Sequence, residues 1–420
     1  MSTIVQNLTF ATRALEKEMG QLTKSIFFFG DGLQRTVVDG AFDLLKPKTW
    51  QPANLVRFGR DTAEISVELS RFLTPGEAGI AWEELRNKLE VFLLVSELSS
   101  ILQVDPKTWV PLSDLVNRAY SLPAFAALWA VEGVGHYYGD AYWERNGPPS
   151  GLLSANSVSV PEKSLLMLHA GMGLAFADRL LDTVTHSSPA YEIRGVVEQF
   201  VELCRNNSRP GYLGSAVESL GLVTRDFYPD MVSLVDEQVQ EVAPELRGYF
   251  WHGVGRALYF SRAYFLPVLR TAWGSLDQEA QPGTGLTNAM AGLAWAATLV
   301  NMRQPAVMEG VLRSYLYRSE LADAFAYGVS TSIMMREDTT PGKEFVKAFY
   351  EYQPDSIDRR LVITWNKRVS GPAKHVLRSY YPMLKRQGLL GEVFQYQSLA
   401  TVVDRLEGEV VRSSAGAGLQ

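Results

Sequence analysis

YFWHGVGRALYF, residues 249–260, sets two glycines two apart among aromatic and aliphatic residues, with His252 and Arg256 beside them. A glycine in a helix interior costs up to about 1 kcal/mol against alanine, so a pair needs a reason. A phosphate-binding turn of the dinucleotide type requires a third glycine three positions on, after a strand and before a helix. Leu258 stands at that position and no strand-like run precedes the stretch. In a helix, by contrast, residues two apart point about 200° apart. Gly253 and Gly255 then thin opposite sides, and two neighbours, or a neighbour and a ligand, approach closely. This reading predicts a central helix of a crowded all-α bundle, with Trp251, Tyr259 and Phe260 filling the space beyond the glycines.

The stretch has relatives within the chain. EGVGHYYGD (132–140) carries Gly133 and Gly135, and HAGMGLAFAD (169–178) carries Gly171 and Gly173. MAGLAWAATL, from Met290, keeps only the second glycine, Gly292. The first-position marks Gly133, Gly171, Gly253 and Met290 fall 38, 82 and 37 residues apart. One spaced pair is thus followed by a second, which predicts an internal duplication of a glycine-thinned helical hairpin.

Working outward, most long segments read as helix. In 79–102, Leu85, Leu89, Phe92, Leu93 and Leu98 share a face at helical period. RRLVITW (359–365) is the best strand candidate, but it has no partner and is discounted. The C-terminal stretch reads as short helices broken at Pro354 and at Gly371-Pro372. Connectors fall at 46–52, 144–164, 206–211 and 275–285, and none has the look of a free linker. We divide the chain into an N-terminal helical region (1–110), a first repeat half (111–205), a second repeat half (206–340), a C-terminal helical region (341–412) and a disordered tail (413–420).

Composition excludes several classes. The 420 residues are 46% hydrophobic and carry a net charge of -6, so a large core is available and there is no basic footprint for nucleic acid. One cysteine, Cys204, forbids intrachain disulfides and reads as a small buried hydrophobe. That fits a reducing, cytoplasmic setting, and the N-terminus does not read as a signal peptide. The uncharged segment 284–302 has an apolar part too short to span a bilayer and reads as a core helix; membrane contact is open but not predicted.

Glu132, His136, Asp140 and Glu144 step by four along one helix and so share a face. Such a line offers acid–base or metal chemistry, but a polar ridge is the plainer reading, and no metal or cofactor is called for. The di-iron Glu-x-x-His, zinc H-E-x-x-H and hydrolase G-x-S-x-G signatures are missing. Asp178 and Asp182, with Arg179 between them, read as a salt-bridged helix side. Arg256 lies in the most apolar part of its helix, so it must be paired. A carboxylate from a neighbouring helix is the first expectation; an anionic ligand head group is the second, with His252 beside it.

At YFWHGVGRALYF, continued by SRAYFLPV, the chain resembles a bacterial domain-of-unknown-function family found beside enediyne polyketide synthases. HAGMGLAFADRLLD, LTNAMAGLAWAATLVNMR and VMEGVLRSYLYRSE share the resemblance, which spans about residues 160–335. The family brings no catalytic residues to carry over; it implies a setting of polyketide or fatty-acyl chemistry. Three expectations follow. The first is an accessory protein that binds an apolar acyl or polyene chain in a helical cavity lined by Tyr137, Tyr138, Phe176, Tyr259 and Trp295, with Arg256 or His252 at one end. The second is an enzyme acting on such a chain through Glu132, His136 and Asp140, with His169 or His252 from another helix. The third is a scaffold that docks the synthase or another pathway protein. N-terminal residues such as KSIFFFGDGLQRTVVDGAFD match nothing in the resemblance.

Overall fold

The computed structural model describes residues 70–403, apart from 75, 106–107, 156, 261–271, 316–319 and 355–357. The tail, the N-terminal FFFGDG stretch, the connector at 46–52 and SRAYFLPV lie outside the described residues. Among the described residues there is no strand, and the fold is all-α.

The helices are α1 (Ala78–Ser96), α2 (Leu112–Tyr120), α3 (Ala124–Asn146), α4 (Leu165–Leu181), α5 (Ala190–Asn207), α6 (Leu213–Phe227), α7 (Val232–Val242) and α8 (Arg247–Phe260). They continue with α9 (Ala272–Glu279), α10 (Thr284–Val300), α11 (Pro305–Tyr315), α12 (Ala322–Thr339), α13 (Glu344–Glu351) and α14 (Arg359–Trp365). Six of them form a row in the order α3, α4, α6, α8, α10, α12, each packed on the next. Amphipathic helices flank the row: α1 lies against α3 and α10, and α5 and α7 pack on one another beside α4 and α6. One cluster of buried apolar side chains runs through the whole, from Val91 to Val402.

The glycines set the spacing of this row. A Cβ on Gly253 would overlap the carbonyl oxygen of Glu218 on α6, and a Cβ on Gly221 would overlap that of Phe250 on α8. The same reciprocal contact joins Gly135 to Leu168 and Gly171 to Glu132 between α3 and α4. It recurs between α8 and α10, where Gly255 meets Ala289 and Gly292 meets His252. Between α4 and α6, Gly173 meets Ala216, and the reciprocal place is taken by Ser219, whose Oγ donates to Ala170 O at 2.8 Å. Between α10 and α12, Gly328 meets Ala291. In the first four seams the paired points run in opposite directions along the two helices, so those neighbours are antiparallel.

Thus Gly253 and Gly255 do thin opposite sides of α8, one toward each neighbour. The motif is wider than the glycine pairs in the sequence: Ser219-Leu220-Gly221 and Gly328-Val329-Ser330 stand where α6 and α12 carry it. The duplication of a hairpin is not shown by the fold; what recurs is a single helix with two small residues.

Two local expectations need correction or completion. RRLVITW is helix α14, and the Asp358 side chain caps it by accepting the Arg360 N–H at 2.9 Å. The chain does end α13 before Pro354, but it does not break at Gly371-Pro372. It stays helical to Arg386 through two π-turns, Asn366–Ser370 and Val376–Tyr380, each just ahead of a step into proline. Widening the turn takes up the missing N–H and the ring clash that proline imposes on the preceding turn. The connector at 144–164 is pinned as expected: Asn207 Nδ2 donates to Pro149 O and its Oδ1 accepts from Leu152 N–H, while Arg209 donates to Leu153 O and Val158 O.

Candidate functional site

The row curls so that helices distant in sequence meet inside it. Glu132 of α3, Glu218 of α6, and His252 and Arg256 of α8 come together with all four side chains buried. Arg256 Nη2 donates to Glu132 Oε1 at 2.5 Å and Nη1 donates to Glu218 Oε2 at 3.1 Å. The other Glu218 oxygen lies 3.0 Å from His252 Nδ1. Trp295 of α10 lies under the guanidinium, whose carbon is 5.0 Å from the ring centroid, and Phe394 closes the far side of His252 with ring centroids 5.7 Å apart.

The register explains the meeting. Glu132, Glu218 and His252 each stand one residue before the first small residue of their helix's pair, and Arg256 stands one turn beyond His252. Residues at like positions of helices packed in one register point into the same space.

Two carboxylates share one guanidinium, so the cluster is negative unless it holds a proton. Burial pushes the Glu132 carboxyl up, more than Arg256 pulls it down. Burial also acts on Glu218, but there Arg256 and His252 outweigh it and hold the carboxyl below its ordinary value. Burial alone would lower Arg256; the two carboxylates reverse that and hold it charged. His252 turns Nδ1 toward the Glu218 carboxylate, and its Nε2 points away from it.

Among the described residues, four polar atoms around the cluster have no hydrogen-bond partner: Glu132 Oε2, His252 Nε2, Arg256 Nε and Trp295 Nε1. They comprise a carboxyl oxygen, an imidazole nitrogen and two N–H donors, a set that fits a carbonyl or hydroxyl group. It does not fit an anion, because Arg256 is already neutralised by two carboxylates. The first sequence expectation for Arg256, a carboxylate from a neighbouring helix, is the one the structure shows.

The other candidates lie elsewhere. The line Glu132, His136, Asp140, Glu144 runs from the interior to the surface along α3. Burial lowers the His136 pKa, against the pull of Asp178 and Asp140. Asp140 is taken by Arg179 of α4, which also reaches Glu144 at 3.2 Å. His169 is spent on structure: Nδ1 donates to Leu165 O at 2.7 Å and Nε2 accepts the Arg209 N–H at 3.0 Å. Its pKa is pushed down to about 4, chiefly by burial.

The five aromatic residues do not share one wall. Tyr137 and Tyr138 are both half-buried at the edge of the core, Tyr138 against Trp109. Phe176 packs on Trp143, and the Tyr259 hydroxyl accepts from Asn301 Nδ2 at 2.6 Å. Only Trp295 touches the Arg256 cluster.

Among the described residues, no group of three or more His, Cys, Asp and Glu is placed to hold a metal ion. Cys204 is buried. One described helical stretch, Glu162–Leu181, is long and apolar enough to cross a membrane, and most of it is buried. No family model, no curated protein and no solved structure matches the chain.

Proposed function

We propose that this chain is an accessory protein of polyketide or acyl-chain metabolism that holds an apolar intermediate by a carbonyl or hydroxyl group at the Glu132–Glu218–His252–Arg256 cluster. The observation that carries the reading is the set of unpartnered, fully buried polar atoms at Glu132, His252, Arg256 and Trp295. Buried polar groups in folded proteins are nearly always hydrogen-bonded, and an unmet set in an apolar interior marks a place for a guest. The setting rests on the likeness of HGVGRALYF and its relatives to the family beside enediyne synthases. In the same reading, the helix with two small residues is the unit from which the row was multiplied.

The test is native mass spectrometry followed by solvent extraction, then titration with a long-chain ketone, a long-chain alcohol and a polyene while tryptophan emission is followed. We expect binding that Glu132→Gln weakens. An empty extract together with no response to any of the three compounds refutes the proposal.

A second reading is favoured by one detail, the Glu218–His252 pair with Nε2 left free. A carboxylate that orients a histidine is the arrangement of a general base, and Glu132, whose carboxyl burial pushes up, would be the acid. The residues would then be Glu132 and His252, with His136 and Asp140 outside the reaction. Altered mass of a bound intermediate after incubation with the protein, lost in His252→Gln, supports this reading; an unaltered mass refutes it.

A further inference from the structure

Arg336 stands in the last turn of α12 with its side chain fully buried. Its Nη1 donates to the carbonyls of Ala124 and Phe125, both at 3.2 Å, in the first turn of α3. Among the described residues, its Nε and Nη2 have no partner and no carboxylate pairs with it. Glu90, the acid whose charge reaches it, is bound to Arg303 at 2.5 Å. Arg303 adds its own positive charge: its guanidinium carbon lies 3.5 Å from the Phe125 ring centroid, and that of Arg336 lies 5.0 Å from the same centroid.

A guanidinium remains protonated in proteins, and a buried charge without a counterion is among the most costly arrangements a fold can hold. Burial and Arg303 push the pKa down to about 9, which still leaves it charged at neutral pH. Two further donors without partners lie close by in the fold. Thr339 Oγ1 is buried one turn further along α12, and Arg303 Nε faces the same Phe125. The N-terminal turn of α3 follows Pro123, has no side-chain cap and contains no acidic residue, so its dipole favours negative charge there. Arg303 is about one-third exposed, so the position lies close under the surface.

We propose that Arg336 is the anchor of an oxyanion site, taking the carboxylate or phosphate of a small molecule on its free Nε–Nη2 edge. That edge offers two parallel N–H groups, the fork that matches two oxygens of one carboxylate or phosphate. Thr339 and Arg303 supply further donors. The site stands independently of the Arg256 cluster, which is neutralised from within and takes no anion.

The experiment is thermal melting of the full chain in increasing acetate or inorganic phosphate, with ionic strength held constant by chloride. The wild-type protein should show a saturable rise, about 3 °C at roughly 100 times the dissociation constant. Arg336→Met, which keeps the apolar stem and removes the fork, should lose the rise. Arg336→Lys, which keeps a charge but loses the fork, should bind at least about tenfold more weakly, and it serves if the methionine variant does not fold. A response to phosphate alone assigns a phosphate ligand, and a response to both assigns any small oxyanion. No saturable rise in the wild type overturns the proposal, as does an equal rise in the methionine variant or unchanged affinity in the lysine variant.

Discussion

Substituting Gly253 by alanine is a direct test of how the row is held. The added Cβ would overlap the Glu218 carbonyl oxygen and stand 2.8 Å from Leu222 N and 3.0 Å from Glu218 C. All three obstacles are main chain of α6, so no side chain can turn away. The helices have to part by on the order of 1 Å, and a gap of that size forfeits a quarter to a half of each contact along the seam. Overpacking of this kind costs about 3 kcal/mol, at the upper end of its range, because α6 is itself seated on α4 through Ser219 and Gly173. Alanine returns about 1 kcal/mol of helix propensity. The net expectation is a loss of about 2 kcal/mol. Gly195 on α5 is the control: it is exposed, and an added Cβ meets nothing within 4 Å. Gly195→Ala should gain about 0.5–1 kcal/mol. Urea unfolding followed by circular dichroism reads both; in melting, for 420 residues, the scale is only about 1 °C per kcal/mol. A Gly253→Ala protein with a midpoint at or above the wild type would refute the claim that main-chain contact sets the spacing.

Arg256→Ala should cost about 3–5 kcal/mol, since it leaves Glu132 and Glu218 buried without their cation; chemical denaturation measures it. Glu132→Gln tests the effect of burial on the Glu132 carboxyl. The folded pKa of Glu132 is raised from 4.5, so the stability it contributes is full below that value and is lost as pH rises through the folded pKa. The glutamine variant escapes that loss and should gain on the wild type as pH is raised above 4.5; a constant difference across pH would contradict a Glu132 carboxyl pushed up by burial. Glu218 behaves in the opposite sense, its contribution being present above 4.5 and lost as pH falls through its depressed folded value, and Glu218→Gln should remove that acid-side loss. Asn207→Ala should cost about 2–3 kcal/mol and raise proteolytic cleavage between 147 and 158, because it orphans the buried Leu152 N–H and Pro149 carbonyl together. Unchanged cleavage would show that Arg209, Ser154 and the main-chain bonds to Asn206 and Asn207 hold the connector without the Asn207 side chain.

The all-α class was readable from helical period and from the lack of paired alternating runs. The role of Gly253 and Gly255 followed from geometry alone, because 200° of separation leaves few other uses for two costly residues. The pairing of Arg256 was readable as a necessity, but its partners were not. Glu218 sits in SAVESLGLVT, where serine replaces the first glycine, so a search for glycine pairs passes over α6 altogether. Had serine been allowed at that position, Glu132, Glu218 and His252 would have aligned in one column. The ridge of α3 misled for a related reason: spacing by four shows which residues share a face, but not how deep that face runs. Glu132 is inside and Asp140 is bound to Arg179 near the surface. Arg336 gave no signal in the sequence, since an arginine near a helix C-terminus is ordinary there and its isolation arises only when α12 is laid against the start of α3.

Main-chain seating of the six helices has a mechanical consequence. Four of the five seams are keyed at opposed points and the fifth at Gly328, and sliding a helix by one residue would move a side-chain Cβ into the carbonyl that now faces a glycine or serine. The row therefore resists shear. Any opening that admits a guest to its centre must come from the outer elements, α1 or the 390–394 turn that carries Phe394, lifting away while the six helices keep their places.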